Sequence, residues 1–173
     1  MDRVSTAPAN SVQGWHIIYT LPRHEKAIAE RLGVETVPCY VPLYSEMRMR
    51  RRRRVNLELP LFPCYVFVKM RLESKARLLS TPGVIRLLTA SGEAVVFSDE
   101  EMDVLQFSLK TLSARPHPLH TCGKRIRLKH GPFAGLEGTI LRRNGKRKLI
   151  VTLDCIQSSM LLDIDSADAQ LSV

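Results

Sequence analysis

The clearest chemistry in this sequence lies in a run of arginines. Six of the seven positions from 48 to 54 carry this residue: Arg48, Arg50, Arg51, Arg52, Arg53 and Arg54. Guanidinium groups stay charged at physiological pH and bind phosphate oxygens in a bidentate manner. No aromatic residue interrupts the run, so it does not predict stacking on bases. It predicts phosphate contacts without sequence reading, and a solvated loop is the alternative interpretation.

A second group of residues is suited to binding a protein partner. The group consists of Trp15, Phe62, Pro63 and Tyr65. Aromatic side chains bury about 150–250 Å² each and dominate the energetics of many interfaces. Because prolines cannot donate to a sheet, we expect strand pairing to begin after Pro63, with Phe62 and Tyr65 facing out at the sheet rim. The alternative is that Trp15, Phe62 and Tyr65 belong to the core.

Patterns typical of catalysis or metal binding are missing from the sequence. The five histidines lack His-Glu-x-x-His spacing, and there is no Gly-x-Ser-x-Gly elbow or phosphate-binding loop. The four cysteines are scattered, whereas zinc sites use closely spaced pairs. The acidic cluster from Asp99 to Asp103 stands at a predicted helix start, where the helix dipole favours acids. We expect neither an enzyme nor a bound metal or cofactor.

The net charge of +9 over 173 residues is concentrated in the arginine run and the C-terminal third. Such clustering favours a polyanionic partner, and nucleic acid first. No segment approaches the roughly 20 apolar residues of a membrane span. Residues 1–13 lack the apolar centre of a signal peptide and are expected to form a flexible tail. We therefore expect a cytoplasmic protein without a membrane partner.

Alternating and helical patterns predict the elements that position these residues. Gly14–Thr20 is rich in aromatic and β-branched residues and predicts a strand. A helix is expected from Pro22 to Gly33, with the glycine ending it. Residues 37–42 predict an extended segment, and residues 40–68 a hairpin with the arginines at an exposed, flexible tip.

The following residues predict a helix at Leu72–Leu79 and short strands at Val84–Leu88 and Ala94–Phe97. Ser98-Asp-Glu-Glu101 has the spacing of a capping box, in which serine and glutamate each bond the other's backbone N–H. The helix that it begins should bury one apolar face. That face contains Met102, Leu105, Leu109 and Leu112.

The C-terminal third predicts a different fold after a proline-containing linker at residues 113–121. Five short strands are expected in residues 125–130, 136–141, 148–153, 161–164 and 171–173. Asn144-Gly145 predicts a hairpin between two of them. Five short strands closing on themselves would form a small barrel.

Four motifs occur together in a characteristic order. They are Trp15-His-Ile-Ile-Tyr19, Leu61-Phe-Pro-Cys-Tyr-Val-Phe-Val68, Thr81-Pro-Gly-Val84 and Gly131-Pro-Phe-Ala-Gly-Leu-Glu-Gly138. This set resembles the NusG family of transcription elongation factors. The resemblance implies an α+β protein: an NGN domain at residues 14–112, with an antiparallel sheet flanked by helices in an α/β sandwich, the linker, and a five-stranded KOW β-barrel at residues 122–173.

The resemblance also implies partners. Trp15, Phe62, Pro63 and Tyr65 would grip the clamp helices of RNA polymerase, making elongation more processive (antitermination). Arg23, His24 and Lys26 would lie near the displaced DNA strand, and the arginine run would contact upstream or non-template DNA. Phe133 and Ile156 of the KOW domain would bind a further partner, in the family Rho or a ribosomal protein. The protein is expected to be a monomer.

Two departures from the family pattern favour a specialised NusG paralog of the RfaH, UpxY or LoaP type. Cys64 stands where the family commonly has glycine, which argues against a positive φ there. Ile156-Gln-Ser158 replaces Phe-Gly-Arg of the housekeeping factor, which weakens the case for Rho or a ribosomal protein. A ribosome-associated RNA-binding protein remains an alternative, because KOW barrels also occur in ribosomal proteins.

Overall fold

The structure, a computed structural model, describes residues 13–111, 114–117, 125–128, 137–143, 146–156, 158–164 and 171–172. These residues form an α+β protein with antiparallel sheets. The strands are β1 (Gly14–Thr20), β2 (Cys39–Tyr40), β3 (Leu43–Arg50), β4 (Arg53–Pro60), β5 (Tyr65–Met70), β6 (Val84–Leu87), β7 (Thr89–Ala90), β8 (Glu93–Ala94), β9 (Val96–Phe97), β10 (Ala114–His117), β11 (Arg125–Leu128), β12 (Glu137–Arg143), β13 (Lys146–Leu153), β14 (Ser158–Ile164) and β15 (Leu171–Ser172). The helices are α1 (Glu25–Val34), α2 (Lys75–Leu79) and α3 (Asp99–Thr111), with 3₁₀ turns at Leu72–Ser74 and Asp154–Ile156.

The chain divides into two compact units. The first contains the residues up to Val41 together with Pro63–Met102, and the second contains Pro42–Phe62 together with the residues from Asp103 onward. In the first unit the main sheet has the order β2-β5-β1-β6, and β9 also pairs with β1. The predicted strand at residues 14–20 is confirmed as β1, the centre of this sheet.

One face of the main sheet carries the core of the first unit. Ile18 of β1 and Val66 and Val68 of β5 are completely buried and pack in one cluster with Ile28 and Leu32 of α1. Helical spacing of four residues places these two α1 side chains on the same face of the helix. Each such side chain contributes roughly 1.5–3 kcal/mol when fully buried. This packing fixes the sheet whose opposite face carries the candidate docking residues.

Helix α1 ends one residue later than predicted. The helix continues through Gly33 and ends at Val34, where the Glu35 N–H donates to the Arg31 carbonyl and the Thr36 N–H donates to the Gly33 carbonyl. The left-handed conformation that glycine was expected to supply occurs instead at Thr36, with φ of 60°. Gly83, in contrast, does require glycine, because its φ is +95° and an added Cβ would lie 3.1 Å from Ile28.

The capping box at the start of α3 is confirmed. The Glu101 N–H donates to the Ser98 hydroxyl at 3.2 Å, and the Ser98 N–H donates to the Glu101 carboxylate at 2.8 Å. Met102 and Leu105 are buried on the predicted face, and Leu109 is half-buried. Leu112 lies outside the described residues.

The arginine run forms a regular hairpin rather than an irregular loop. Strands β3 and β4 pair over eight positions, from Leu43↔Pro60 to Arg50↔Arg53. Two residues, Arg51 and Arg52, connect them, with φ values of 48° and 64°. Two consecutive residues in the left-handed region are typical of the type I′ turn, which normally selects Asn-Gly. We call residues 43–60 the arginine arm.

The second unit contains a six-stranded sheet in the order β10-β14-β13-β12-β11-β15. The five predicted strands are present, and β12 and β13 pair up to Arg143↔Lys146, either side of the predicted Asn144-Gly145 turn, which lies outside the described residues. The sixth strand corrects the prediction, because β10 forms within the expected linker. Its Pro116 is tolerated because β10 is at the end of the strand order, where a missing donor costs no ladder bond.

A buried histidine is expected to make the stability of the first unit depend on pH. His16 is 3% exposed, and its Nδ1 lies 3.2 Å from the Val95 carbonyl, which accepts a hydrogen bond from it. Burial lowers the pKa of His16 below its ordinary value of 6.5. In the unfolded chain His16 binds a proton near pH 6.5, whereas in the folded chain it binds one only at lower pH. Acid therefore favours unfolding.

We accordingly expect the free energy of unfolding to fall between pH 7.5 and 5.5, by at most about 1.4 kcal/mol per pH unit from this group. Urea unfolding at several pH values measures the effect. His16→Gln, which keeps an N–H donor but cannot titrate, should give a flatter dependence. The exposed His24→Gln is the control, and an equal flattening in that variant would contradict the assignment.

No helix in the described part of the chain is long and apolar enough to cross a membrane.

Candidate docking face and arginine arm

The face of the main sheet opposite the Ile18 cluster carries most of its aromatic residues, and Ile17 and Phe67 at its centre are completely buried. Strands β1 and β5 pair with Tyr19 opposite Tyr65, Ile17 opposite Phe67 and Trp15 opposite Lys69. These residues share one face because side chains alternate along a strand. Tyr40 and Phe97 also contact the Phe67 ring, with centroids 6.4 and 5.9 Å away.

Tyr19 and Tyr65 form an aromatic pair at one end of this face. Their ring centroids are 5.4 Å apart at an angle of 60°, an edge-to-face arrangement. The Arg86 guanidinium lies 5.4 Å from the centroid of the Tyr19 ring, close enough for a cation–π interaction. Both tyrosines are half-buried and Arg86 is exposed. We call Tyr19, Tyr65, Arg86 and the exposed Pro63 the docking face.

Trp15 lies at the opposite end of β1 and is not adjacent to Tyr65. It is half-buried, and its indole N–H donates to the Asp99 carboxylate at 2.9 Å. The Lys69 ammonium lies 2.8 Å from the same carboxylate. The Lys69 hydrogen bond is the main cause that lowers the pKa of Asp99. Trp15 and Lys69 therefore hold the first turn of α3 against β1 and β5.

The expectation that Phe62 faces outward is wrong. Phe62 is 1% exposed and its neighbour Leu61 is 2% exposed, so both belong to the core. The Leu61 N–H donates to the Pro42 carbonyl at 2.8 Å, which closes the base of the arginine arm. Of the predicted aromatic residues, Tyr65 and Trp15 therefore keep accessible surface.

The expectation that Cys64 avoids a positive φ is also wrong. Its φ is 69°, the conformation that the family's glycine would adopt without strain. The Cys64 N–H donates to the Glu25 carboxylate at 2.7 Å, and the Thr20 N–H donates to the Cys64 carbonyl at 2.8 Å. Glu25 is 3% exposed in the first turn of α1, so this helix positions the turn beside Tyr65. Burial raises the pKa of the Cys64 thiol.

The strain at Cys64 predicts that Cys64→Gly stabilises the protein. A left-handed conformation costs a residue with a Cβ about 1–2 kcal/mol, and glycine removes this cost. Glycine also gives the unfolded chain more conformational freedom, which cancels part of the gain. We expect a net gain of about 0.5–1 kcal/mol in the free energy of unfolding, measured by urea denaturation. Cys64→Ala keeps the strain, so equal stability of the two variants would contradict this explanation.

The arginine arm presents all six of its arginines to solvent. Arg48 differs from the others because its guanidinium lies 2.8 Å from the Glu46 carboxylate, which in turn accepts from Tyr44 at 3.5 Å. This carboxylate raises the pKa of Arg48. Arg50 to Arg54 form no ion pair with the other described residues and carry the exposed positive charge.

The other predicted residues have mixed outcomes. Arg23, His24 and Lys26 are exposed at the start of α1, where Arg23 has a φ of 66° and His24 Nδ1 lies 3.0 Å from the Pro22 carbonyl. Ile156 is 4% exposed, so it is a core residue rather than an exposed contact. Phe133 lies outside the described residues.

Sequence reasoning missed two residues of the docking face, Tyr19 and Arg86. Tyr19 belongs to a quoted motif, and its alternation with Ile17 would have placed it on the aromatic face. Arg86 has no local signal, because its position over Tyr19 depends on the pairing of β1 with β6. No group of three or more potential metal ligands occurs within the described ranges.

Comparison with known proteins identifies the family of the chain. The family profile described as "Transcription termination factor nusG" matches residues 13–106, which is more than half of the chain. The chain belongs to the NusG family. The resemblance inferred from the four motifs is thereby confirmed, and the family consists of transcription factors rather than enzymes.

Curated NusG proteins match over most of their length. The "Transcription termination/antitermination protein NusG" of Lactococcus lactis is 28% identical over 169 residues, covering 88% of this chain and 90% of that protein. The protein of the same name from Rickettsia bellii is 21% identical over 151 residues, covering 81% and 80%. A solved structure of Thermotoga maritima NusG superimposes with a TM-score of 0.56 at 21% identity, covering 91% of this chain and 96% of that one. This likeness supports the NusG fold.

Proposed function

We propose that this protein is a cytoplasmic transcription elongation factor that binds RNA polymerase and increases processivity. The observation that carries the proposal is the docking face. Tyr19 and Tyr65 form a partly exposed aromatic pair beside the exposed Pro63 and Arg86. Aromatic residues rimmed by arginine are typical of interface hot spots. The family and its termination/antitermination relatives support a role in transcription. The partner that we propose for the docking face is a clamp helix of RNA polymerase.

The proposed division of labour follows the family. An NGN domain at residues 14–112 would hold the polymerase, and a KOW domain at residues 122–173 would recruit a further partner. The burial of Ile156 removes one expected contact for Rho or a ribosomal protein. Cys64 has a positive φ, which a glycine would adopt without strain, so the cysteine does not prevent this turn conformation. We propose that the protein is a specialised NusG paralog and that it acts as a monomer.

The arginine arm is proposed to contact upstream or non-template DNA. Its five outer arginines are exposed at the end of a regular hairpin, which suits them to phosphate contacts. Arg23, His24 and Lys26, also exposed, are proposed to lie near the displaced strand. A second DNA contact would strengthen the hold of a polymerase-bound factor on the transcribed template.

Transcription in a purified system tests the function. Elongation by bacterial RNA polymerase across a template with a pause site and a terminator is measured with and without the protein. We expect shorter pauses and more full-length transcript when the protein is present. Transcript lengths that do not change at saturating protein would overturn the proposed activity, provided that the protein is folded by circular dichroism.

A further inference from the structure

The arginine arm has two chemically different faces. Met47 and Met49 of β3 lie on one face, and their register partners Asn56 and Arg54 of β4 share it. We call these four residues the methionine face. All four are exposed, and each methionine retains 67% of its accessible surface. Two large apolar side chains thus stand side by side in solvent at the outer end of a cationic hairpin.

The opposite face of the arm is different because its inner part is covered. Val55 and Leu57 are half-buried there, and Arg48 is paired with Glu46. The methionine face carries no acidic residue between Asn56 and the tip. The nearest acid on that face is Glu58, which pairs with Ser45 closer to the base of the arm. The outer half of the methionine face therefore combines apolar surface with uncompensated positive charge.

We propose that the methionine face enters the minor groove of duplex DNA and inserts Met47 and Met49 between base pairs. Proteins that bind this groove combine arginine and asparagine, which read its edge, with apolar wedges that include methionine. The methionine face has this composition. The inference rests on the proposed contact between arm and DNA and goes beyond it, because phosphate contacts alone give the methionines no role.

The spacing of the two methionines fits a stack of base pairs. Residues two apart on an antiparallel strand are separated by about 6.8 Å. This distance is twice the rise of about 3.4 Å between base pairs. Met47 and Met49 would therefore meet alternate steps of one duplex. Arg54 and Asn56 would face the groove edge, and the turn residues Arg51 and Arg52 would lie at the flanking phosphates. The clustered arginines favour DNA over an apolar protein surface as the occupant.

The test uses the full-length protein and a duplex of about 20 base pairs with central pyrimidine–purine steps, which unstack easily. 2-Aminopurine at those steps reports unstacking as a rise in fluorescence. We expect wild-type protein to produce this rise. Met47→Ser with Met49→Ser should abolish this rise and weaken binding about tenfold or more, because the lost burial of two apolar side chains exceeds the unstacking cost that is no longer incurred. The salt dependence of DNA binding by this double variant should equal that of the wild type, because no phosphate contact is lost.

Met47→Leu with Met49→Leu is the matched control and should retain both fluorescence and affinity. The proposal is overturned if the Met47→Ser, Met49→Ser variant behaves as wild type, or if wild-type protein binds the duplex without a rise in 2-aminopurine fluorescence. It is also overturned if the serine variant loses polymerase binding instead, which would identify a protein surface as the occupant. Failure of the arm–DNA contact itself is distinguishable, because serine at Arg50 to Arg54 would then leave DNA binding unchanged.

Discussion

Replacing Tyr19 and Tyr65 with alanine should release the protein from RNA polymerase. Their rings form the accessible end of the aromatic face, and truncating a central aromatic residue typically costs 2 kcal/mol or more of binding free energy. We expect the Tyr19→Ala, Tyr65→Ala variant to bind core polymerase about 100-fold more weakly or worse. Biolayer interferometry with immobilised polymerase measures the dissociation constant.

Two further variants separate loss of contact from loss of fold. Tyr19→Phe with Tyr65→Phe keeps both rings and should bind as wild type. Arg86→Glu reverses an exposed charge beside the Tyr19 ring without opening a cavity, and it should also weaken binding. Wild-type affinity in both the alanine variant and Arg86→Glu would show that the polymerase binds elsewhere.

Serine at all five positions from Arg50 to Arg54 should remove most of the affinity for DNA. Each phosphate contact contributes about 0.9 to the slope of log affinity against log salt concentration. Loss of up to five contacts should flatten this slope by roughly 3 to 4.5 and weaken binding by about 100-fold or more at low salt. Fluorescence anisotropy titrations with duplex and forked DNA at several salt concentrations measure both quantities.

Lysine at the same five positions is the matched control for charge. Lysine keeps each positive charge but loses the bidentate geometry of the guanidinium. The salt slope of this variant should stay near that of the wild type, with a modest loss of affinity. If the serine variant keeps the wild-type slope, the arm does not contact phosphates and the arginines form a solvated hairpin.

Sequence was sufficient where the deciding interaction is local. Ser98 and Glu101 are three residues apart, so their mutual hydrogen bonds follow from spacing alone. The strands at residues 14–20 and 65–70 follow from β-branched and aromatic composition. The strand pairing around the arginine run was also predictable, since apolar and polar residues alternate on both sides of it.

Sequence was insufficient where distant segments decide. Leu61 and Phe62 are adjacent yet both buried, so alternation could not assign a face after two prolines. The positive φ of Cys64 has no signal without glycine, because it is imposed by bonds to Glu25 and Thr20. Strand β10 forms despite Pro116 because β14 provides a partner from a later part of the chain.

The short connection between the arginine arm and β5 has a consequence for avidity. Strand β4 ends at Pro60 and β5 begins at Tyr65, so four residues join the arm to a docking-face tyrosine. A short tether of this kind confers an effective concentration in the millimolar range on the second binding event. Once docked, the factor would thus keep its arm on the template even at salt concentrations at which the arm alone binds DNA weakly. The tether would also allow the contact between the arm and the DNA to break and reform as the template moves past.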